Sequence, residues 1–207
     1  MEKLKRKILI LLVLFTSTSA SAQVAWNIKV AGGYTMFTGG SDLGDMKGTM
    51  VGKVGLGMEM TLTRDLSFMP SLEFAMKGAK WSFSDNYGTQ DETYSLAYIQ
   101  LPILLGYRLN LSKSWNMNLK AGPYFAYGVK GNVKLEHNCK KTNYTEEGDL
   151  FSDLGMGKFD FGVDVGIDFE NHRFVIGLEY EKGFSSLSYN DASVTNQAMY
   201  ASIGFKF

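Results

Sequence analysis

Residues 158–170 read Lys-Phe-Asp-Phe-Gly-Val-Asp-Val-Gly-Ile-Asp-Phe-Glu. Every second residue is Phe, Val or Ile, and the residues between them are charged or glycine. This period of two predicts a β-strand that has one apolar and one polar face. A helix would place Phe159, Asp160 and Gly166 on the same side and would bury no coherent apolar surface.

The same alternation recurs, less regularly, in seven further segments of the chain. The eight predicted strands cover 26–37, 49–62, 66–82, 94–110, 115–130, 158–170, 173–187 and 196–207. Strands of soluble proteins are typically about 5–6 residues long, whereas a tilted strand that spans a membrane needs about 9–11. The predicted fold class is therefore all-β, an eight-stranded antiparallel up-and-down transmembrane β-barrel.

The predicted connections alternate in length along the chain. Short connections at 63–65, 111–114 and 171–172 alternate with long polar ones at 38–48, 83–93, 131–157 and 188–195. Barrels of the bacterial outer membrane have short periplasmic turns and longer outer loops. The pattern predicts an outer-membrane location with both termini in the periplasm. An even strand number also lets the first and last strands pair, so that no sheet edge is left open in lipid.

The N-terminal 22 residues form a separate unit. Four basic residues are followed by an apolar run at 8–15 and by Ala20-Ser21-Ala22, which has the form of a cleavage site. This order predicts a secretory signal peptide, and the apolar run is too short to span a bilayer as a helix. The predicted domains are a signal peptide at 1–22 and a barrel at 23–207.

Composition excludes several protein classes. The whole chain has a net charge of 0, and cleavage removes four basic residues and one acidic residue, which leaves −3. This charge predicts no nucleic-acid partner. The single cysteine, Cys139, cannot form an internal disulfide. No stretch of 18 apolar residues follows the signal peptide, so no transmembrane helix is predicted.

Several motifs resemble a known barrel family. They are Tyr-Ile-Gln-Leu-Pro-Ile-Leu-Leu-Gly-Tyr-Arg at 98–108, Gly-Pro-Tyr-Phe-Ala-Tyr at 122–127, Phe-Asp-Phe-Gly-Val at 159–163 and Tyr-Glu-Lys-Gly-Phe at 180–184. In this order they are similar to the PorT-like and OmpX-like outer-membrane barrels of Bacteroidetes. The resemblance implies an eight-stranded barrel without a catalytic motif, and one branch of that family serves type IX secretion. The ending Gly-Phe-Lys-Phe at 204–207 resembles the signal that barrel-assembly machinery reads in a C-terminal strand.

The polar faces of the predicted strands project into the barrel. The predicted lumen residues are Lys29, Lys53, Glu59, Glu73, Lys77, Gln100, Arg108, Asn116, Asn118, Lys120, Asp160, Asp164, Asp168, Glu179, Glu181 and Lys206. An eight-stranded barrel is just wide enough for side chains to fill its interior. Buried charges must pair, because an isolated one is very costly. We predict that the acids and bases interlock as a plug of salt bridges.

An alternative is an acidic site formed by Asp160, Asp164 and Asp168 that binds a cation or transfers protons. Carboxylates four residues apart on one strand lie about 13 Å apart at ~3.3 Å per residue. That spacing is poor for one shared metal ion. We predict no metal and no cofactor.

Histidines are the natural candidates for catalysis in an enzyme that modifies lipids, and the chain has two. His172 falls in a short turn and is predicted to be structural. His137 lies in the long loop together with Asp149, Ser152 and Asp153. Any loop of this length contains such residues, so their presence is a weak signal for catalysis. His137 and Cys139 are two residues apart, but no further Cys or His stands near to complete a metal site. The chain is predicted not to be an enzyme, with no catalytic, cofactor-binding or metal-binding residue.

The segment 131–157 is the best predicted location for specific binding. Long connections without structure are usually functional or disordered, and loops on a rigid scaffold often carry binding. Its basic half contains Lys134, His137, Lys140 and Lys141, and its acidic half contains Glu146, Glu147, Asp149 and Asp153. The two halves could pair as a hairpin above the membrane, or the segment could be a solvated loop without a fixed partner.

Three functions remain open from sequence. The first is a non-enzymatic barrel with a structural role in the envelope or a protein partner at 131–157. The second is a narrow channel or small-molecule carrier, which the strand count and the lumen charges disfavour. The third is a lipid-modifying enzyme, which the lack of a histidine–nucleophile pair disfavours. The predicted partners are outer-membrane lipid, including lipopolysaccharide, and the barrel-assembly machinery, with the protein itself a monomer.

Overall fold

The computed structural model describes residues 24–38, 47–84, 88–139, 143–151, 156–186 and 194–207. These residues form nine strands: β1 Val24–Thr38, β2 Lys47–Thr61, β3 Leu66–Ser84, β4 Gly88–Asn110, β5 Trp115–Cys139, β6 Asn143–Asp149, β7 Phe159–Asn171, β8 Phe174–Gly183 and β9 Thr195–Lys206. Within them no helix is long and apolar enough to cross a membrane. The predicted signal peptide and its cleavage site lie outside the described residues.

Eight of the strands close into a ring. Their order is β1–β2–β3–β4–β5–β7–β8–β9, and every neighbouring pair is antiparallel. The ring closes where β1 pairs with β9, for example at Ala31 opposite Ser202. Closure satisfies the N–H and C=O groups that an open sheet would leave unpaired. The predicted eight-stranded antiparallel barrel is confirmed.

The ninth strand, β6, lies outside the ring. It pairs with the last part of β5, from Asn132 opposite Asp149 to Asn138 opposite Asn143. The earlier part of β5, from Trp115 to Tyr127, pairs instead with β7, which begins at Phe159. β6 and β7 thus occupy successive parts of one strand position, with the segment 150–158 between them.

Two predicted loops contain more strand than expected. β4 begins at Gly88 and β5 continues to Cys139, so the predicted loops at 83–93 and 131–157 are largely paired backbone. The sequence signal fails there because period two reports an apolar face on one side of a strand. The sequence of these extensions shows no such alternation, although their backbones pair in the same way.

The strands alternate between the two faces of the wall as predicted. On β7, Phe159 is 53% exposed on the outside, while the next residue, Asp160, is fully buried inside. Large apolar side chains such as Leu72, Leu178 and Ile203 cover the outer surface with exposed fractions of 58%, 58% and 68%. The barrel is therefore apolar outside and polar inside, the reverse of a soluble domain.

The two ends of the barrel differ. At the short-turn end, connections at 62–65, 111–114 and 172–173 join the strands, and both described chain ends lie there, since Trp26 and Phe207 exchange backbone hydrogen bonds. The other end, which we call the long-connection end, carries the β3–β4 and β5–β6 extensions. His172 in the β7–β8 turn has φ 56°, a left-handed conformation that a two-residue hairpin turn requires.

An apolar cluster fills the lumen at the long-connection end. This apolar cap consists of the buried residues Phe37, Tyr94, Leu96, Val133, Leu150, Met156 and Val194. Leu150 is fully buried because the segment after β6 turns inward, where its N–H donates to the carbonyl of Gly131. The sequence analysis did not predict this cap.

Candidate functional site

The lumen brings together the charged residues predicted from the strand phases. Lys53, Glu73, Lys77, Lys120 and Glu181 are all buried, although each side chain carries a formal charge at neutral pH. Lys29, Arg108, Asn116 and Lys206 are half-buried, and the remaining predicted lumen residues are buried as well. The predicted lumen set is confirmed. The structure adds Glu170, which is 4% exposed.

The lower tier, next to the short-turn end, is a group of four charges from four strands. Arg108 Nη2 lies 2.7 Å from Glu59 Oε1 and 3.2 Å from Glu170 Oε2. Lys206 forms ion pairs with the same two carboxylates. Each base thus bridges both acids, which stabilises the neutral group against the cost of burial. Ser67 donates a further hydrogen bond to Glu59.

The middle tier is centred on Glu179. Its carboxylate accepts from the Nζ atoms of Lys29, Lys53 and Lys120 at 2.7, 2.6 and 2.5 Å. Lys120 also lies 2.8 Å from Asp168 Oδ1. Among the described residues, Glu179 is the only ion-pair partner of Lys29. One carboxylate therefore contacts three buried or half-buried ammonium groups, two of which also pair with other carboxylates.

Lys53 and Glu181 join the middle tier to the upper tier. Lys53 Nζ lies 3.0 Å from Glu73 and 2.9 Å from Glu181. Glu181 in turn lies 3.0 Å from Lys77, which also contacts Asp160 at 3.4 Å. The ionic network therefore runs continuously through the middle and upper tiers.

Three tyrosines that the sequence analysis did not assign to the lumen complete the upper tier. The ammonium group of Lys77 lies 4.3 Å from the ring centroid of Tyr124 and 5.6 Å from that of Tyr98. Lys53 lies 4.6 Å from the ring centroid of Tyr200. Such cation–π contacts stabilise ammonium groups that have left water. Strand phase was the available signal, since Tyr98 lies two residues before the lumen residue Gln100.

The alternative acidic site does not have a common centre. Asp160 accepts hydrogen bonds from Tyr124 and Asn196 and pairs with Lys77, whereas Asp168 pairs with Lys120. Asp164 lies between them on β7 and forms no ion pair with a described residue. No group of three or more His, Cys, Asp or Glu side chains in the described part of the chain is placed to hold a metal ion.

A polar cavity of about 300 Å³ opens below the lower tier. Its lining includes Arg108, Glu170, Lys206 and the turn residues His172 and Arg173. The His172 ring nitrogen Nδ1 lies 2.7 Å from Asn171 Oδ1 on the exposed surface. No serine or cysteine lines the cavity beside this ring. The side chains of His137 and Cys139, and the residue Ser152, lie outside the described part of the structure.

A small sheet projects beyond the barrel at the long-connection end. We define the projecting sheet as the parts of β3, β4, β5 and β6 beyond the pair Thr93–Lys134. There β4 and β5 remain paired as far as Gly88 opposite Cys139. Lys134 stands opposite Glu147, so the basic and acidic halves of 131–157 pair as a hairpin. The hairpin alternative of the sequence analysis is confirmed for the backbone.

Comparison with protein-family models identifies one match. The model, described as an outer membrane protein β-barrel domain, matches residues 18–189. No curated protein matches the sequence.

The solved structures similar to this chain include outer-membrane proteins at low sequence identity. The attachment invasion locus protein Ail of Yersinia pestis is 13% identical over 89% of this chain and 99% of its own, with a TM-score of 0.45. Neisserial surface protein A is 10% identical over 88% and 99% of the two chains, with a TM-score of 0.49. The outer membrane enzyme PagL is 10% identical over 86% and 98%, with a TM-score of 0.45.

Proposed function

Since the chain belongs to the outer membrane protein β-barrel domain family, we propose that it is a closed, non-enzymatic barrel that binds a protein partner through its projecting sheet. The observation that carries the proposal is the continuation of β3–β6 in register past the apolar outer surface of the barrel. In this proposal the barrel anchors and orients the sheet, and the sheet makes the specific contact.

The filled lumen supports a role outside the barrel rather than transport through it. Oppositely charged side chains meet across the interior at three levels, and the apolar cap lies above them. A channel needs a continuous polar path, and these side chains occupy that path. Among the described residues, no histidine of the lumen stands beside a nucleophile. We therefore propose a non-enzymatic role.

The edge of the projecting sheet supports protein binding. β6 is the last strand of the described sheet, with β5 as its one described neighbour there. The free side of such a strand presents N–H and C=O groups that can pair with an extended segment of another chain. Charged residues are frequent in β6, which reads Asn-Tyr-Thr-Glu-Glu-Gly-Asp, and they disfavour indiscriminate pairing.

We further propose that the short-turn end faces the periplasm and the projecting sheet faces outward. Short turns on the periplasmic side are the rule for bacterial outer-membrane barrels. Both chain ends then lie in the periplasm, as the sequence analysis predicts. Membership of the PorT-like branch of Bacteroidetes barrels, a link to type IX secretion and a monomeric state are parts of the same proposal, supported by the motifs at 98–108 and 122–127.

The orientation predicts a labelling pattern on intact cells. Cys139 ends β5 in the projecting sheet, and we expect a membrane-impermeant maleimide to label it without permeabilisation. In a Cys139→Ser background, Ser112→Cys in the β4–β5 turn is expected to remain unlabelled until the outer membrane is opened. If intact cells were labelled at Ser112→Cys and not at Cys139, the proposed orientation would be wrong and the short-turn end would face outward.

The same thiol tests for a partner. A photo-reactive maleimide on Cys139 of intact cells is expected to cross-link a bound protein, which mass spectrometry would identify. The control is a variant with a shortened hairpin. An Asn-Gly turn replaces residues 136–145, which removes Cys139, and the substitution Lys134→Cys supplies the thiol for the cross-linker. Equal cross-linking by both forms would show that the projecting sheet is not the binding surface.

A further prediction concerns the conductance of the purified barrel. The purified barrel is expected to give no stable steps in planar bilayers, because side chains fill the lumen. The double variant Tyr98→Ala, Tyr124→Ala removes two buried rings from the upper tier and is expected to admit a measurable leak. Steady porin-like currents from the unmodified protein would contradict the closed-lumen proposal.

A further inference from the structure

Three lysines form an exposed basic group on the outer wall of the barrel, just beyond its apolar surface. Lys47 on β2 stands directly opposite Lys80 on β3. Lys130 lies on β5 opposite Ala97 of β4, which is four residues closer to the short-turn end than Thr93, the β4 partner of Lys80. All three side chains are exposed. We call Lys47, Lys80 and Lys130 the lysine group.

The lysine group is continuous with the lipid-facing surface. On β3 the outward side chains Leu72, Phe74 and Met76 are followed at the same face by Gly78 and then Lys80. On β5 the exposed Tyr127 and Val129, at 56% and 47%, immediately precede Lys130. The apolar belt therefore gives way to positive charge within a few residues on both strands.

The height of Lys80 corresponds to the headgroup region, and Lys130 lies at the level of Met76, at the edge of the apolar belt. Lys80 lies four residues beyond Met76, which is about 13 Å along a strand at ~3.3 Å per residue. With a strand tilt of roughly 35–45°, this places its Cα about 10 Å above the apolar belt. A lysine stem can turn back along the surface, so its ammonium group reaches the interfacial layer of the bilayer.

The like charges have no compensation within the described chain. Direct opposition of two lysines across antiparallel strands is destabilising unless an anion lies between them. No carboxylate of a described residue lies within 4 Å of the amines of the lysine group. The nearest outward carboxylate on β4 belongs to Asp91, which is further from the belt, opposite Ser82. Lys134 has an interaction of its own within the chain and is not counted in the group.

The opposite wall of the barrel is different. There Lys182 on β8 donates hydrogen bonds to the hydroxyl groups of Thr38 and Thr195 at 2.9 and 3.4 Å. Beside β5, the exposed Lys158 precedes β7, and its ammonium group lies 5.6 Å from the ring centroid of Phe151. Positive charge without an internal partner is thus concentrated on the side formed by β2, β3 and β5.

We propose that the lysine group binds the phosphate groups of an anionic lipid in the outer leaflet, so that the lipid occupies a defined position against β2–β5. The belt supplies contact for the acyl chains, and the three ammonium groups supply contact for the phosphates. The leaflet follows from the orientation under Proposed function, whereas the binding itself depends only on the wall of the barrel.

The test uses the folded barrel in detergent with lipid A as the probe. Binding of bisphosphorylated lipid A and of the same lipid after removal of its phosphates is measured by native mass spectrometry. The variant Lys47→Gln, Lys80→Gln, Lys130→Gln is compared with a control at the short-turn end, Arg64→Gln, Lys113→Gln, Arg173→Gln. Both variants remove three positive charges from exposed positions.

The lysine-group variant is expected to bind bisphosphorylated lipid A roughly 100-fold more weakly, because each basic residue near an anionic lipid surface contributes about a fivefold factor. The control variant is expected to bind like the unmodified protein, and the lipid without phosphates is expected to bind all three forms equally weakly. A migration difference between boiled and unboiled samples verifies that each variant is folded.

Unchanged binding in the folded lysine-group variant, or equal loss in the control, would overturn the proposal. These outcomes do not depend on which end of the barrel faces the periplasm. Inverted cysteine labelling together with a selective loss of lipid A binding would therefore refute the proposed orientation and keep the phosphate site.

Discussion

The variant Glu179→Gln is expected to lower the free energy of unfolding of the barrel by about 3–5 kcal/mol, the usual cost of breaking a buried ion pair by removing one partner. Glu179 lies within 2.7 Å of three lysine amines and is 2% exposed. Glutamine has nearly the same shape but no charge, so the change isolates electrostatics from packing. Denaturant titration of the barrel in detergent micelles measures the effect, with boiled and unboiled gel migration as a second readout.

Two further variants make this measurement specific. Asp65→Asn neutralises a carboxylate in the exposed β2–β3 turn and is expected to change stability by less than about 0.5 kcal/mol. The double variant Lys29→Met, Glu179→Gln is expected to be less destabilised than the sum of the two single changes. In the double variant residue 29 carries no charge, so the loss of Glu179 leaves no unpaired ammonium group at that position. If Glu179→Gln were as stable as the unmodified barrel, the network would not be a stabilising plug.

Adding one methyl group at Gly162 is expected to destabilise the barrel by about 1–3 kcal/mol, the range seen for overpacked interiors. A Cβ atom there would lie 2.0 Å from the carbonyl oxygen of Lys182 and 2.7 Å from the ring of Tyr124. The backbone oxygen cannot move aside as a side chain can, because β7 and β8 are paired at this position. Gly162→Ala therefore forces the wall or the Tyr124 ring out of place.

Gly32→Ala is the matched control for this prediction. It adds the same methyl group to a strand of the same barrel, but no atom lies within 4 Å of the new Cβ. Because alanine loses less conformational freedom than glycine in a strand, Gly32→Ala is expected to be neutral or stabilising by up to about 1 kcal/mol. Denaturant titration of both variants measures the difference. Equal stabilities would show that the lumen at Gly162 is not tightly packed.

The wall of the barrel could be predicted from sequence because its cause is local. Each residue of β7 faces either the outer surface or the lumen. The pattern in 158–170 alone therefore assigns Phe159 to the outer surface and Asp160 to the lumen. The bounds of β7 and β9 were predicted to within one residue. Where the sequence of a strand does not alternate between apolar and polar residues, as in β6 and the start of β4, the same reasoning predicted loops and was wrong.

The pairing of charges could not be predicted in the same way. Sequence predicted that Lys53, Glu73 and Glu181 share the lumen, but not that one ammonium group lies within 3.0 Å of both carboxylates. Glu170 was omitted from the predicted lumen residues although it continues the polar face of 158–170. The apolar cap was missed because Leu150 belongs to no strand, and its burial depends on an inward turn of the chain after β6.

Sequence alone thus determined the number of strands in the ring, the face on which most charged strand residues lie and the charged character of the lumen. These follow from period two, which every strand expresses by itself. Only the tertiary structure decided which acid meets which base, since partners such as Lys29 and Glu179 lie 150 residues apart. Their distance is set by the order of the strands around the ring and by the stagger between them, and closure of the barrel fixes both at once.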